Sequence, residues 1–163
     1  ILLTTNEQML KETIEEINAQ LEVLPRKELA AKALENSRGI VLNSIEQCVA
    51  FSNIYAPEHL IFACETAGDF ISNIINAGSV FLGNYSCESV GDYASGTNHT
   101  LPTNGYAKNY SGVSLDSFIK KITFQKLSAE GIKNIGPAIE LMAEAEELFA
   151  HKNAVTLRLQ DLK

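Results

Sequence analysis

Short apolar runs alternate with helical segments over the first half of the chain, and this alternation restricts the fold more than any other feature. Between the runs, apolar residues recur at helical spacing, and Thr5 or Asn6 is placed to cap the first helix, which should end near Pro25. Strands are predicted at residues 1–4, 40–42, 60–63 and 79–83, and further helices at residues 26–37, to about 52, and at 66–77. Such a pattern predicts the α/β class, with an open, mostly parallel sheet and flanking helices.

The pattern changes after His99. A loop rich in Gly, Asn and Tyr is predicted at residues 102–112, then a short helix from about Leu115, a long helix at 137–150 and an alternating apolar segment at 154–159. We therefore predict two domains. Residues 1–113 form a sheet domain, incomplete compared with a nucleotide-binding domain, and residues 114–163 form a small helical C-terminal extension.

Composition excludes several classes of function. The chain has 163 residues, a formal net charge of -7 and a pI near 5.0, and its basic residues are not clustered, so nucleic acid is not an expected partner. No apolar run approaches the roughly 18 residues of a membrane span, so a membrane is not expected either. A small polar or cationic ligand fits better. Cys48, Cys64 and Cys87 form no close pairing motif, which favours a reducing compartment, the cytoplasm. Because the first residue is Ile, we expect a part of something longer.

A polar segment at residues 88–99 follows the fourth predicted strand and contains few core-forming residues. Ligands of open α/β proteins bind at the carboxyl ends of the strands, which is where this segment should emerge. Asp92 and His99 offer an oxygen and a nitrogen that suit Zn²⁺ or a substrate, and Gly91 and Gly96 permit tight turns. The alternative is an ordinary polar turn whose side chains bind their own backbone.

Glu58 and His59 are a second candidate pair. A carboxylate beside an imidazole is suited to acid/base chemistry, since the imidazole titrates near neutral pH. In the alternative interpretation, Glu58 faces solvent and His59 packs at the start of a strand. Because these residues precede a strand whereas Asp92 follows one, a fully parallel sheet would place them at opposite edges, so a bend or an antiparallel strand is expected.

The last predicted helix contains an anomalous carboxylate. Glu146 projects between Ile139 and Met142, on the side that should be buried, where it would need a partner or a ligand. His151 lies at or just past the predicted helix end, about one and a half turns further on. In the alternative interpretation, His151 is a protonated imidazole that interacts favourably with the C-terminal end of the helix dipole.

Four sequence blocks carry a resemblance to a known family. They are YAPEHL at 55–60, AGSVFLG at 77–83, ESVGDYASGTNHTLPT at 88–103 and AHKNAVTLR at 150–158. The chain resembles histidinol dehydrogenase along essentially its whole length. This resemblance implies a zinc-containing, NAD-dependent enzyme of histidine biosynthesis that oxidises L-histidinol to histidinaldehyde and then to L-histidine.

The resemblance also implies roles for individual residues. Glu58 and His59 correspond to the catalytic acid/base pair, in which His59 takes protons from the substrate hydroxyl and Glu58 activates the water that attacks the aldehyde. The zinc ligands are Asp92 and His151. Substrate-binding positions are His59, Asp92, His99, Glu146 and His151, and the zinc holds the substrate imidazole and amine. The family forms a domain-swapped homodimer in which the terminal region completes the partner's site.

The chain departs from the family pattern at its beginning. The family's other two zinc ligands, a Gln and a His in a Gln-x-x-His motif, have no counterpart here, because no histidine precedes His59. The NAD contacts of the family also lie earlier, and the sequence has no Gly-x-Gly-x-x-Gly or Walker loop. We therefore expect the C-terminal part of the enzyme, inactive and weak in zinc binding by itself. Rival interpretations are a non-catalytic α/β binding or assembly domain and, with less support, a zinc hydrolase.

Overall fold

The computed structural model describes residues 1–162, in which strands and helices alternate through the first half as predicted. The strands are β1 (Leu2–Thr4), β2 (Gly39–Val41), β3 (His59–Phe62) and β4 (Ser79–Leu82). The α-helices are α1 (Glu7–Val23), α2 (Lys27–Leu34), α3 (Ile45–Tyr55), α4 (Glu88–Tyr93), α5 (Ala129–Ala145) and α6 (Phe149–Gln160). Short 3₁₀-helices lie at Ala67–Asn73, Tyr106–Lys108 and Leu115–Ser117. None of the helices in this range has the length and apolar character that a membrane crossing requires.

The strand pairs are parallel, and the predicted α/β class is confirmed. Within residues 1–162, β1 pairs with β2 and β3 pairs with β4, so the strands form two two-stranded sheets. In the second sheet His59 is opposite Ser79 and Phe62 is opposite Leu82. Parallel strands need a crossover between them, which the intervening helical segments supply.

The chain divides into two compact units, Ile1–Ile119 and Lys120–Lys163. The first contains both sheets, and Phe81 and Val49 are among its buried apolar residues. In the second, α5 packs on α6, and a Cβ on Gly136 would lie 2.8 Å from Cδ1 of Leu159. The proposed domain boundary after residue 113 stays a prediction.

The ends of α1 and α3 explain how the chain enters the next elements. Asn6 caps α1 as predicted, since its side chain accepts hydrogen bonds from the N–H groups of Gln8 and Met9 at 2.8 and 3.2 Å. Helix α3 runs past the predicted end to Tyr55. It stops at Ala56, which adopts the left-handed conformation with a φ of 54° and is 1% exposed. This sharp end directs the chain straight into β3.

The helix predicted at residues 66–77 is wrong in type and extent, because the structure has a 3₁₀-helix that ends at Asn73. The side chain of Asn53 binds the backbone that would continue a helix. It donates to the carbonyl of Asn73 at 2.8 Å and accepts from the N–H groups of Ile75 and Asn76 at 2.9 and 3.3 Å. These bonds replace the helical ladder and turn the chain into β4.

The elements predicted for the second unit also need correction. The expected helix at residues 137–150 begins earlier, at Ala129, because Ser128 caps it by accepting from the N–H of Gly131 at 3.0 Å. Pro137 lies inside α5 rather than at its start. The alternating segment at 154–159 is helical and belongs to α6, so its apolar residues follow a helical and not a strand period.

Candidate active site

Part of the polar segment at residues 88–99 is a helix, whereas the sequence favoured a loop throughout. Gly83, with a φ of 81°, turns the chain after β4, and α4 begins at Glu88. Residues three and four apart share one helical face, so Glu88, Gly91 and Asp92 lie on the same side of α4. Gly91 is the buried residue of this helix.

Gly91 and Phe81 fix α4 against the second sheet. A Cβ on Gly91 would lie 2.5 Å from Cε1 of Phe81 and 2.7 Å from Oγ1 of Thr97, so a glycine is required for this approach. The Phe81 ring is 6% exposed and also contacts His59, with the ring centroids 5.9 Å apart and the planes tilted by 31°. One buried aromatic ring therefore packs against both α4 and the imidazole of β3.

This packing brings His59, Glu88 and Asp92 together. One possible ligand atom from each lies within 4.8 Å of the others, and all three residues are half-buried. The Nε2 atom of His59 is buried and has no hydrogen-bond partner in the part of the chain that the structure describes. A nitrogen and two carboxylates are acceptable ligands for Zn²⁺, so the donor set fits a metal ion as well as a polar substrate group.

The structure resolves the geometric difficulty that the sequence raised by a bend after β4, and not by an antiparallel strand. β3 and β4 run parallel, with His59 opposite Ser79. Instead, α4 folds back over the sheet after Gly83, and the strands are only four residues long. At about 3.3 Å per residue, such strands separate the two edges by little more than 10 Å. Asp92 thereby reaches the beginning of β3.

The two carboxyl groups interact directly. The hydrogen bond to Asp92, followed by the negative charge of Asp92, raises the pKa of Glu88 above its ordinary value, while the nearby imidazole of His59 acts in the opposite direction. Glu58 adds a further, smaller upward effect on the pKa of Glu88. The cluster thus concentrates negative charge around one imidazole, as a cation-binding site requires.

Glu58 is held beside His59 by backbone pairing that extends the sheet. Its carbonyl accepts from the N–H of Ser79 at 2.9 Å, and the carbonyl of Pro57 accepts from the N–H of Gly78 at the same distance. The half-buried Glu58 also lines a cavity of about 540 Å³, together with residues of α3 and Lys108. Glu58 and His59 therefore occupy fixed, adjacent positions.

His99 lies outside the cluster formed by His59, Glu88 and Asp92, and it is exposed. Its neighbours are clamped. The Asn98 side chain accepts from the N–H of Thr100 at 2.8 Å and donates to the carbonyl of Val113, and the N–H of Val113 donates to the carbonyl of Thr100 at 3.0 Å. The backbone that carries His99 is consequently fixed on both sides.

The local predictions for Glu146 and His151 are wrong. Glu146 is exposed and is the C-terminal cap of α5, and Met142, which was expected to be buried beside it, is 65% exposed. The buried residues of α5 are Gly136 and Ala143. His151 is an exposed residue in the first turn of α6 and not at a helix C-terminus. Both candidates belong to the second unit.

Sequence reasoning missed Glu88 as a site residue. A signal was present, because Glu88 and Asp92 are four residues apart and would share a face of any helix. Gly91 between them and Gly96 after them favoured a loop instead, and in a loop residues four apart do not share a face. In the structure Gly91 is a packing contact within a helix rather than a turn residue, so Glu88 and Asp92 do share a helical face.

The parallel strand pairs and the His59–Glu88–Asp92 cluster define the class as an α/β protein whose sheet carries a candidate site for a metal ion or a polar substrate group. Comparison with known proteins gives the family. The family model described as histidinol dehydrogenase matches residues 1–159, and the chain belongs to the histidinol dehydrogenase family.

Individual relatives carry the same family name. Histidinol dehydrogenase of Bacteroides thetaiotaomicron is 60% identical over 163 residues, which is 100% of this chain and 38% of that protein. The Mannheimia succiniciproducens enzyme is 51% identical over the same share of each chain. A crystal structure of histidinol dehydrogenase from Elizabethkingia anophelis superposes with a TM-score of 0.93 at 69% identity and covers 99% of this chain and 37% of its own. The chain thus spans about 38% of the length of curated relatives that it matches, in agreement with the expected partial correspondence.

Proposed function

We propose that the full-length protein containing this chain is a histidinol dehydrogenase that oxidises L-histidinol through histidinaldehyde to L-histidine, with zinc and NAD, in histidine biosynthesis. The observation that carries this proposal is the half-buried cluster in which His59 and Asp92, two residues with roles in the resemblance, lie within 4.8 Å of one another. Membership of the family supports the same assignment.

His59 acts as the proton acceptor. Its buried Nε2 has no partner in the described residues, so it is available to the substrate hydroxyl. As the carbon loses hydride, the hydroxyl proton passes to this imidazole and the alcohol becomes the aldehyde. Glu58, fixed next to it, accepts a proton from the water that adds to the aldehyde carbon, and the resulting hydrate anion loses a second hydride to give the carboxylic acid.

Zinc would be held by Asp92 and His151, together with ligands from outside this chain. The half-buried Asp92 carboxylate fits a zinc ligand by its chemistry. When bound, zinc orients the imidazole and amine of histidinol, and NAD accepts the hydride in each oxidation. His99 and Glu146 contact the substrate in this proposal.

The protein is proposed to be a cytoplasmic homodimer with shared active sites. Residues 114–163 would form an extension that is exchanged between subunits, so that Glu146 and His151 complete the partner's site. The position of both residues in a compact unit of their own supports an exchange of this kind. The three cysteines are free, as a reducing compartment requires.

The test separates proton transfer from metal binding in the full-length enzyme. His59→Asn should lower kcat for histidinol-dependent NADH formation by about 10²–10⁴-fold, the usual contribution of a general base, while zinc content is retained. Asp92→Asn should lower zinc content, measured by elemental analysis. The exposed Glu65→Gln is the control for both. A His59→Asn enzyme with unchanged kcat would refute the proposal.

A further prediction concerns residues 1–163 alone. This chain should bind zinc weakly and have no dehydrogenase activity, because it supplies only part of the proposed zinc shell. Robust NAD-dependent oxidation of histidinol by the isolated chain would contradict that expectation.

A further inference from the structure

The segment of residues 97–101 contacts both parts of the candidate site. At its beginning, Oγ1 of Thr97 lies 2.7 Å from the position that a Cβ on Gly91 would take, so Thr97 packs against the buried face of α4. At its end, Cβ of Leu101 lies 3.2 Å from the position of a Cβ on Gly78. The segment therefore extends from α4 to the beginning of β4.

Gly78 connects this segment to the proposed acid/base pair. A Cβ on Gly78 would lie 2.6 Å from the carbonyl oxygen of Glu58. The N–H of Gly78 donates to the carbonyl of Pro57 at 2.9 Å. Leu101 thus packs against backbone that is in direct contact with the backbone of Glu58. His99, two residues before Leu101, is held near the same end of the sheet.

The side chain of Asn98 holds the middle of the segment. Its Oδ1 accepts from the N–H of Thr100 at 2.8 Å, which closes a local turn around His99. Its Nδ2 donates to the carbonyl of Val113, 15 residues further on, and the N–H of Val113 donates to the carbonyl of Thr100 at 3.0 Å. An ordinary polar turn accounts for the first of these bonds but not for the second, because Val113 is distant in sequence.

The Asn98 amide suits this place because it faces two backbone groups of opposite polarity. Its oxygen can only accept and its nitrogen can only donate, as the N–H of Thr100 and the carbonyl of Val113 require. Gly112 allows the two segments to approach, since a Cβ there would lie 2.6 Å from Cδ2 of Leu101. The backbone that carries the exposed His99 is therefore ordered by contacts within the chain itself.

We propose that Asn98 is a positioning residue, which holds the His99 imidazole in place for the substrate by clamping its backbone to Val113. This inference rests on the proposed function, in which His99 contacts histidinol. A histidine on a free loop would lose conformational entropy on binding a ligand, and a clamped backbone removes part of that cost. Asn98 acts through His99 and needs no contact of its own with zinc or substrate.

A double-mutant cycle in the full-length enzyme separates the positioning of His99 from a general structural role. The variants are Asn98→Ala, His99→Ala and the two together, and kcat and KM are measured for histidinol-dependent NADH formation. Far-UV circular dichroism and thermal unfolding report whether each variant is folded. The matched control is Asn109→Ala, at an exposed asparagine of the same loop, which should keep the parental kcat/KM.

Asn98→Ala should lower kcat/KM about 10-fold when His99 is present. A misplacement of about 1 Å costs on the order of 100-fold, but the backbone bond between Val113 and Thr100 remains and limits the displacement. In the His99→Ala background the same substitution should change kcat/KM by less than about twofold. A loss of about 10-fold in both backgrounds would overturn the inference, and so would parental kcat/KM in Asn98→Ala.

Asn98→Ser decides if Asn98→Ala does not fold. Serine keeps an acceptor for the N–H of Thr100 but is too short to reach Val113, so its effect should also depend on His99. Parental kcat/KM in Asn98→Ser, or an equal loss with and without His99, would overturn the inference too.

The same measurements distinguish this inference from the proposed function. A full-length enzyme that forms no NADH from histidinol refutes the proposed function. Parental kcat/KM in His99→Ala refutes the proposed substrate contact of His99. A loss in His99→Ala with none in Asn98→Ala refutes the role of Asn98 alone.

Discussion

Replacing Gly91 with Ala should damage the site although the change adds a single methyl group. Gly91 lies inside α4 and is not one of the glycines with positive φ, so its backbone accepts an L-residue. The obstacle is space. The new carbon would lie 2.5 Å from Cε1 of Phe81, whereas non-bonded carbons rest at about 3.5–4.0 Å.

Two effects of opposite sign determine the stability of Gly91→Ala. Alanine favours a helix over glycine by about 1 kcal/mol. Overpacking of a well-filled site costs about 1–3 kcal/mol, and Phe81, at 6% exposed, has little room to rotate away. We therefore expect a net destabilisation of about 1 kcal/mol, with α4 displaced from the sheet by about 1 Å.

The displacement matters more for catalysis than for folding. Asp92 moves with α4 relative to His59, and a misplacement of about 1 Å in an active site costs on the order of 100-fold in rate. The assay compares kcat/KM for histidinol and thermal unfolding in the full-length enzyme. Gly68→Ala is the control, because a Cβ there meets nothing within 4 Å. If Gly91→Ala retained kcat/KM and matched Gly68→Ala in stability, the close seating of α4 on Phe81 would be refuted as the determinant of the site.

Two further predictions concern the first unit. Asn53→Ala removes the hydrogen bonds that turn the chain into β4 and should lower the free energy of unfolding by about 2 kcal/mol. The control Asn84→Ala, at an exposed position, should leave the free energy of unfolding unchanged. Equal stability of the two variants in thermal unfolding would contradict this prediction. Burial raises the pKa of the Cys48 thiol, so less thiolate is present near neutral pH, and iodoacetamide should modify Cys48 more slowly than the exposed Cys87 in a mass-spectrometric time course. The opposite order would be incompatible with the burial of Cys48.

The elements that could be predicted from the sequence are those governed by local signals. Asn6 before an apolar helical period locates the start of α1, and apolar runs locate all four strands. The predictions fail where a distant side chain intervenes. Asn53 binds the backbone near residue 75 and prevents the helix predicted there, and nothing local to that segment reveals it. The predicted helix start at Pro137 is wrong for another reason, because proline is most common in the first helical turn.

The candidate site was predicted in part. Glu58, His59 and Asp92 were identified, and the structure brings the last two together. Glu88 was missed because its role depends on the helical state of its segment, which depends in turn on the contact between Gly91 and Phe81. A tertiary contact of that kind leaves no periodic pattern in a single sequence, so it could not be predicted.

The left-handed Ala56 at the end of α3 has a consequence for mutational tolerance. A larger side chain would need space that a residue only 1% exposed does not have, and most would also resist a φ of 54°. Glycine would relax the backbone but would increase the freedom of the unfolded chain. Few residues are therefore acceptable at this position, which directs Glu58 and His59 although it has no reactive group. Variation in this region is therefore limited by the residue that positions Glu58 and His59 as well as by these two candidate residues.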